Sequence, residues 1–142
     1  MHIPKSTTDQ ADVLSFAAAM DQRTYNGYNR ERWLYVPDFY TEYRYILGTR
    51  GKKPLIAIGV NPSTAEPDHL DNTLKSVERI AWANGYDSFM MFNVYAQRAT
   101  APEDMEQNCN PYLHRENLLA LEYVLQLCQS PPSMWAAWGT II

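Results

Sequence analysis

The sequence predicts an α/β protein with a mostly parallel sheet. Its strands are predicted from three continuous apolar runs of the kind found in strands buried on both faces. The runs are LIAIGV at 55–60, FMMFNV at 89–94 and MWAAW at 134–138. Helical patterns separate them, and this alternation with short connections favours right-handed crossovers. We therefore expect a three-layer α/β/α arrangement, with helices on both faces of the sheet.

The segments before the first apolar run are expected to add a helix and edge strands. Residues 1–42 read as a peripheral N-terminal segment with a short helical pattern at 13–20. Residues 32–36 (RWLYV) and 43–47 (YRYIL) are rich in aromatic and branched side chains and are bounded by Pro37 and Gly48, which is typical of strands. We expect these two strands to pair near a sheet edge.

Helix boundaries are predicted from capping residues. Asp71 can cap a helix that ends at Asn84 and Gly85. The TAPE sequence at 100–103 has the capping-box spacing and opens a short helix. A longer helix begins at 110–111, and its expected apolar stripe is Leu118, Leu121, Val124, Leu125 and Cys128.

The chain of 142 residues is expected to form a single domain over 1–142, with a core at 43–139. Hydrophobic residues make up 46% and charged residues 20%, as in ordinary globular proteins. No run of about 18 apolar residues and no signal-peptide layout is present, so we expect a cytoplasmic protein without a membrane span. The scattered cysteines and histidines predict no metal site and no cofactor. Because the last strand would have one side uncovered, we expect the natural protein to continue beyond Ile142.

Polar residues follow each predicted parallel strand, at 61–64 (NPST), 93–98 (NVYAQR) and 139–140 (GT). Ligands of parallel sheets sit beyond the carboxyl ends of the strands, so these segments predict a binding cleft. The candidate catalytic residues are Asn61 and Asp71. The candidate ligand-binding residues are Ser63, Thr64, Asn93, Tyr95 and Arg98.

Each candidate in the first loop has a chemical role and a structural alternative. The amide of Asn61 offers an acceptor and two N–H donors, or it forms a turn before Pro62. Ser63 and Thr64 could cradle an anion, or serve the turn alone. Asp71 could act as an acid or only cap its helix.

The second loop offers a similar choice. Asn93 can donate to and accept from a nucleobase edge, or its amide is satisfied by neighbouring backbone. Tyr95 could stack on a base, and Arg98 could bind a phosphate or carboxylate.

Several segments together resemble a bacterial and phage family called domain of unknown function 1643. They are YRYILG at 43–48, IGVNPSTA at 58–65, the long segment 71–102 and AAWG at 136–139. A more distant resemblance, carried by GVNP at 59–62 and by Asn93 with its basic loop, is to the uracil-DNA glycosylase superfamily. It implies that Asn61 positions an attacking water and that Asn93 reads a base. The superfamily's last motif would lie beyond Ile142, and no carboxylate stands at position 61 to act as a strong base.

Three functions remain open at this level. The first is a glycosylase-like hydrolase of N-glycosidic bonds. The second is a non-catalytic module that binds a nucleobase, a nucleotide or single-stranded nucleic acid. The third is a protein-interaction domain without a small-molecule site. A net charge of −4 disfavours a protein whose main task is to grip a phosphate backbone, and the lack of a Walker motif disfavours ATP hydrolysis of that type.

Overall fold

The computed structural model describes residues 1–7, 13–24, 27–127 and 133–137. These residues form three α-helices, five strands and one short 3-10 turn. The helices are α1 (Phe16–Asp21), α2 (Asn72–Ala83) and α3 (Pro111–Leu127), and the 3-10 turn is Pro102–Asp104. The strands are β1 (Trp33–Val36), β2 (Ile46–Thr49), β3 (Pro54–Gly59), β4 (Ser88–Asn93) and β5 (Ser133–Ala136).

The five strands form one mixed sheet in the order β1-β2-β4-β3-β5. Strand β3 pairs in parallel with β4 and with β5, as the apolar runs predicted. Strand β2 is antiparallel to both of its neighbours, β1 and β4. The expectation of a mostly parallel sheet was therefore too strong, because only two of the four pairings are parallel. The predicted pairing of the two early strands at a sheet edge is confirmed.

The contact between β2 and β4 requires a glycine. Gly48 lies opposite Met90, and a Cβ atom at Gly48 would stand 2.8 Å from Met90 Cα and closer still to the carbonyl oxygen of Phe89. Both are backbone atoms of the central strand, so they cannot move aside as a flexible side chain would. The absence of a side chain at Gly48 is what brings β2 next to β4.

Two hydrophobic clusters lie on opposite faces of the sheet, because successive strand residues point to opposite sides. Ile56 and Phe92 pack with α1 and α3, whereas Leu55 and Phe89 pack with α2. Helices α1 and α3 therefore pack on one face of the sheet, and α2 packs on the other. Among the described residues, none of the helices combines the length and the apolar character needed to cross a bilayer.

The start of β2 and the buried face of α3 differ from the predictions. Strand β2 begins three residues later than expected, because Tyr43 instead forms an isolated bridge with Gln97. The apolar stripe of α3 is confirmed in part: Val124 is buried and Leu121 and Leu125 pack against the core, whereas Leu118 is exposed. The buried face also includes two polar residues that were not predicted, because Glu116 and Asn117 turn polar groups inward, to Phe16 N and to Asn93 O respectively. Cys128, Trp138, Gly139 and Thr140 lie outside the described residues.

Candidate functional site

A pocket of about 170 Å³ opens at the carboxyl ends of β3 and β4, beside the start of α2. Four of the seven predicted site residues line it: Asn61, Ser63, Asp71 and Asn93. Thr64, Tyr95 and Arg98 are not among its lining residues. Three other polar residues line the pocket and were not predicted as site residues from the sequence: Arg44, Thr73 and Thr100.

The amide of Asn61 is held in one orientation by the loop that it belongs to. Its Nδ2 donates to the carbonyl oxygen of Pro62 at 3.0 Å and to that of Ala99 at 2.8 Å. The second bond joins the loop after β3 to the loop after β4. Because an amide nitrogen carries two donors, these bonds use both and leave Oδ1 as the group available to a ligand.

The amide of Asn93 has the opposite arrangement. Asn93 is 2% exposed, and its Oδ1 accepts a hydrogen bond from Arg44 Nη2 at 3.3 Å. No contact within the described ranges uses its Nδ2 donor. A Cβ atom at Gly59 would stand 2.8 Å from this Nδ2 and 2.6 Å from Met91 Cε, so Gly59 provides the space that the amide occupies.

Arg44 is the most unusual residue of the pocket, because its side chain is almost fully buried and its charge is not paired. It is 2% exposed and makes two long hydrogen bonds, to Asn93 Oδ1 and to the Ala65 carbonyl oxygen, both at 3.3 Å. Its Nε–H is buried without an acceptor. Burial, together with the nearby charge of Arg98, lowers the pKa of Arg44 to about 9.

Arg98 lies behind the pocket, where it fixes the loop after β3. Its Nη1 donates to the carbonyl oxygens of Ser63 at 2.6 Å and Ala65 at 3.1 Å, and its Nη2 donates to Tyr35 OH at 2.9 Å. The guanidinium carbon also lies 4.1 Å from the centre of the Tyr40 ring. With no exposed surface, Arg98 supports the loop and is not positioned to touch a ligand directly.

Asp71 places a carboxylate at the start of α2. Its Oδ1 accepts from Leu74 N at 3.0 Å, which is the predicted helix cap. Asp71 also lines the pocket, so capping and ligand contact are compatible at this residue.

The hydroxyl groups at the opposite wall are linked to the N-terminus of the chain. Ser63 Oγ lies 2.9 Å from Thr100 Oγ1, which also accepts from the backbone N–H of His2 at 2.7 Å. The His2 ring in turn lies 2.7 Å from Tyr40 OH and 2.7 Å from Glu42 Oε2. The N-terminal segment therefore packs against the residues that form the rim of the pocket.

Tyr95 belongs to a separate buried network. Its OH donates to Glu106 and accepts from Asn110 N at 2.7 Å, and the residue is 4% exposed. Burial, together with the bond to Glu106, raises the pKa of Tyr95 to about 12. The ring therefore has no free face in this pocket on which a base could stack. In the parts of the chain that the structure covers, no three acidic, cysteine or histidine side chains cluster as a metal site would require.

Residues 44–141 match the family described as "Protein of unknown function (DUF1643)". The chain belongs to this family. The matched range contains every residue that lines the pocket, so the pocket is part of the family domain. No curated protein and no solved structure matches the chain at a significant level. The more distant resemblance to the uracil-DNA glycosylase superfamily stays a prediction.

Proposed function

We propose that the pocket binds the base of a nucleoside or nucleotide. The observation that carries this proposal is the fixed polarity of the two amides. Asn61 uses both donors in its own loops and leaves an acceptor, whereas Asn93 uses its acceptor on Arg44 and leaves a donor. A nucleobase edge also presents donors and acceptors side by side, so it complements such a pair.

The size of the pocket favours a small ring. An apolar cavity of about 150 Å³ is large enough to bind benzene. The present pocket has a similar volume, about 170 Å³, and it is lined by polar groups as well as by Leu74 and Met91. A single six-membered ring with polar substituents therefore suits it better than a large ligand, and we propose a pyrimidine as the preferred base.

A thermal-shift and calorimetric titration with uridine and cytidine tests the proposal. We expect saturable stabilisation of about 2.7 kcal/mol when the nucleoside is present at 100 times its dissociation constant. The substitution Asn93→Asp keeps the acceptor for Arg44 but replaces the Nδ2 donor with a second acceptor. It is expected to abolish the nucleoside response, because the ligand then meets an acceptor where it needs a donor.

The matched control is Asn108→Asp, at an exposed residue outside the pocket, which should leave the response unchanged. Asn93→Asp should fold, because the new carboxylate lies beside the unpaired Arg44 guanidinium. A wild-type protein that shows no saturable response to either nucleoside, or a response that survives Asn93→Asp, contradicts base binding at this site.

Hydrolysis of an N-glycosidic bond is the second candidate, and one observation favours it. The carboxylate of Asp71 lines the same pocket as the two amides, and only its Oδ1 is used by the helix cap. Such a carboxylate is a chemically reasonable general base for water or for a leaving group. The bonds of Asn61 Nδ2 leave it only Oδ1 for holding a water molecule.

Chromatographic detection of free base from nucleosides and nucleoside monophosphates tests this second candidate. Asp71→Asn is the informative variant, because Asn caps a helix about as well as Asp but carries no charge. A hydrolase that uses Asp71 should lose roughly 100-fold or more of its rate in this variant, with an unchanged melting temperature. Binding without any release of base would leave the non-catalytic binding module as the function.

A further inference from the structure

Two arginine side chains are buried next to each other at the pocket. Arg44 lines the pocket, and Arg98 lies behind it. Arg44 is 2% exposed and Arg98 is 0% exposed. Both guanidinium groups donate to the same acceptor, the carbonyl oxygen of Ala65, at 3.3 Å and 3.1 Å. They therefore lie side by side, and each carries a buried Nε–H without an acceptor.

Neither guanidinium of this pair has a carboxylate within ion-pair distance among the described residues. The ion pairs found in the described ranges involve His2, Arg30, Arg32 and Arg115. A buried cation without a counter-ion costs several kcal/mol of stability. Asp71 is the carboxylate that acts on Arg44, and it attracts the guanidinium without forming an ion pair with it.

We propose that the pocket also contains an anion subsite at Arg44, which takes the phosphoryl group of a small nucleotide. This inference rests on the proposed function, since it places the phosphate of the same ligand whose base meets Asn61 and Asn93. The bound anion would supply the counter-charge that the buried arginines lack.

The groups around Arg44 suit a phosphoryl group. A guanidinium has five N–H donors, and the two bonds of Arg44 leave one donor on each Nη, besides the buried Nε–H, without an acceptor among the described residues. Helix α2 begins at the same pocket, and the first backbone N–H groups of a helix have no partner within it. The hydroxyls of Thr73 and Thr100 line the pocket as well.

A small nucleotide fits these observations better than a nucleic-acid chain. Arg44 is the one guanidinium among the residues that line the pocket, so the subsite suits a single anionic group. The chain as a whole carries a net charge of −4. Binding of a polyanion requires many clustered cationic side chains, so this charge disfavours a nucleic-acid chain as the ligand. The ligand we infer is therefore a nucleoside monophosphate, and an oligonucleotide serves as a comparison in the test.

Calorimetric titration at constant ionic strength and pH 7.5 tests the subsite with inorganic phosphate, cytidine and cytidine 5′-monophosphate. We expect phosphate alone to bind saturably, and the monophosphate to bind at least tenfold more tightly than cytidine, which is the ratio expected for one charged hydrogen bond. Arg44→Met should remove the response to inorganic phosphate and the advantage of the monophosphate over cytidine. The control Arg79→Met removes an exposed charge from α2 and should change neither.

A second pair of variants keeps the test decisive if Arg44→Met does not fold. Thr73 is exposed in the first turn of α2, where an acidic side chain is favourable. Thr73→Asp places a carboxylate in the pocket and should abolish the phosphate response, whereas the uncharged Thr73→Asn, which retains a hydrogen-bond donor at this position, should weaken it far less.

The possible outcomes separate the two proposals. Equal affinity for cytidine and its monophosphate, or no response to inorganic phosphate, overturns the anion subsite and leaves base binding in place. A phosphate response without any cytidine response overturns base binding and supports the anion subsite. Tighter binding of a single-stranded oligonucleotide than of the monophosphate, compared at equal phosphate concentration, overturns the assignment to a small nucleotide.

Discussion

Gly48→Ala is expected to lower the free energy of unfolding by at least about 3 kcal/mol, the upper range for inserting atoms into a packed core. The added methyl group would overlap the Phe89 carbonyl and stand 2.8 Å from Met90 Cα. Relief would require β2 to move away from β4, which breaks the pairing that joins the antiparallel strands to the parallel part of the sheet. Chemical denaturation followed by circular dichroism measures the effect.

Gly85→Ala is the matched control for this prediction. Gly85 has a φ of 85° but no atom within 4 Å of where its Cβ would lie, so the same substitution meets backbone strain without overlap. A residue in the left-handed region costs about 1–2 kcal/mol. Equal losses in the two variants would contradict the view that Gly48 is required by the close approach of two strands.

The same contact explains why the sheet was only partly predictable from the sequence. Strands β3 and β4 are continuous apolar runs, and their parallel pairing followed from the helix between them. The pairing of β2 with β4 could not be predicted from a periodic pattern in the sequence, because the two strands lie about 40 residues apart. The sequence pattern predicted that Gly48 ends a strand, whereas Gly48 lies within β2.

The residues of the candidate site were also only partly predictable from the sequence. Asn61 and Asn93 were found because a polar amide at the end of an apolar strand is unusual, and both line the pocket. Arg44 was not selected, since its neighbours in YRYIL gave the segment a strand pattern. An arginine in the middle of such a pattern was the available signal, because arginine is almost never fully buried unless paired. Tyr95 was expected near the ligand, and its burial against Glu106 could not be inferred from local sequence.

The affinity for inorganic phosphate is expected to fall by about tenfold per pH unit above about pH 9, if phosphate binds at a charged Arg44. The groups that act on this guanidinium are Arg98, Tyr35, Asp71 and Tyr40. Burial raises the pKa of Tyr35 to about 12, so this tyrosine stays neutral over the range tested. Calorimetric titration of phosphate between pH 8 and pH 10 measures the slope. Binding of uncharged cytidine, whose base does not titrate in this range, serves as the control.

The contribution of Arg44 to the stability of the ligand-free protein should change with pH in the opposite direction. The pKa of Arg44 is about 9 in the folded chain and 12.5 as its ordinary value, so above pH 9 the unfolded state binds more protons than the folded state. This difference adds about 1.4 kcal/mol per pH unit to the free energy of unfolding above pH 9. The tyrosines whose pKa values are raised by burial act in the opposite sense as the pH approaches and passes 10; they are Tyr28, Tyr35, Tyr40, Tyr45 and Tyr95.

The difference in stability between wild type and Arg44→Met from pH 9 to pH 10 isolates the contribution of Arg44, because the tyrosines titrate in both proteins. We expect the wild type to gain stability relative to Arg44→Met across this window while it loses affinity for phosphate. Both changes come from one event, the loss of a proton from the Arg44 guanidinium. A bound anion would act as the counter-ion of this group and oppose the loss. A phosphate affinity that stays constant from pH 8 to pH 10 would place the anion elsewhere. A constant stability difference would mean that Arg44 keeps its proton throughout the range.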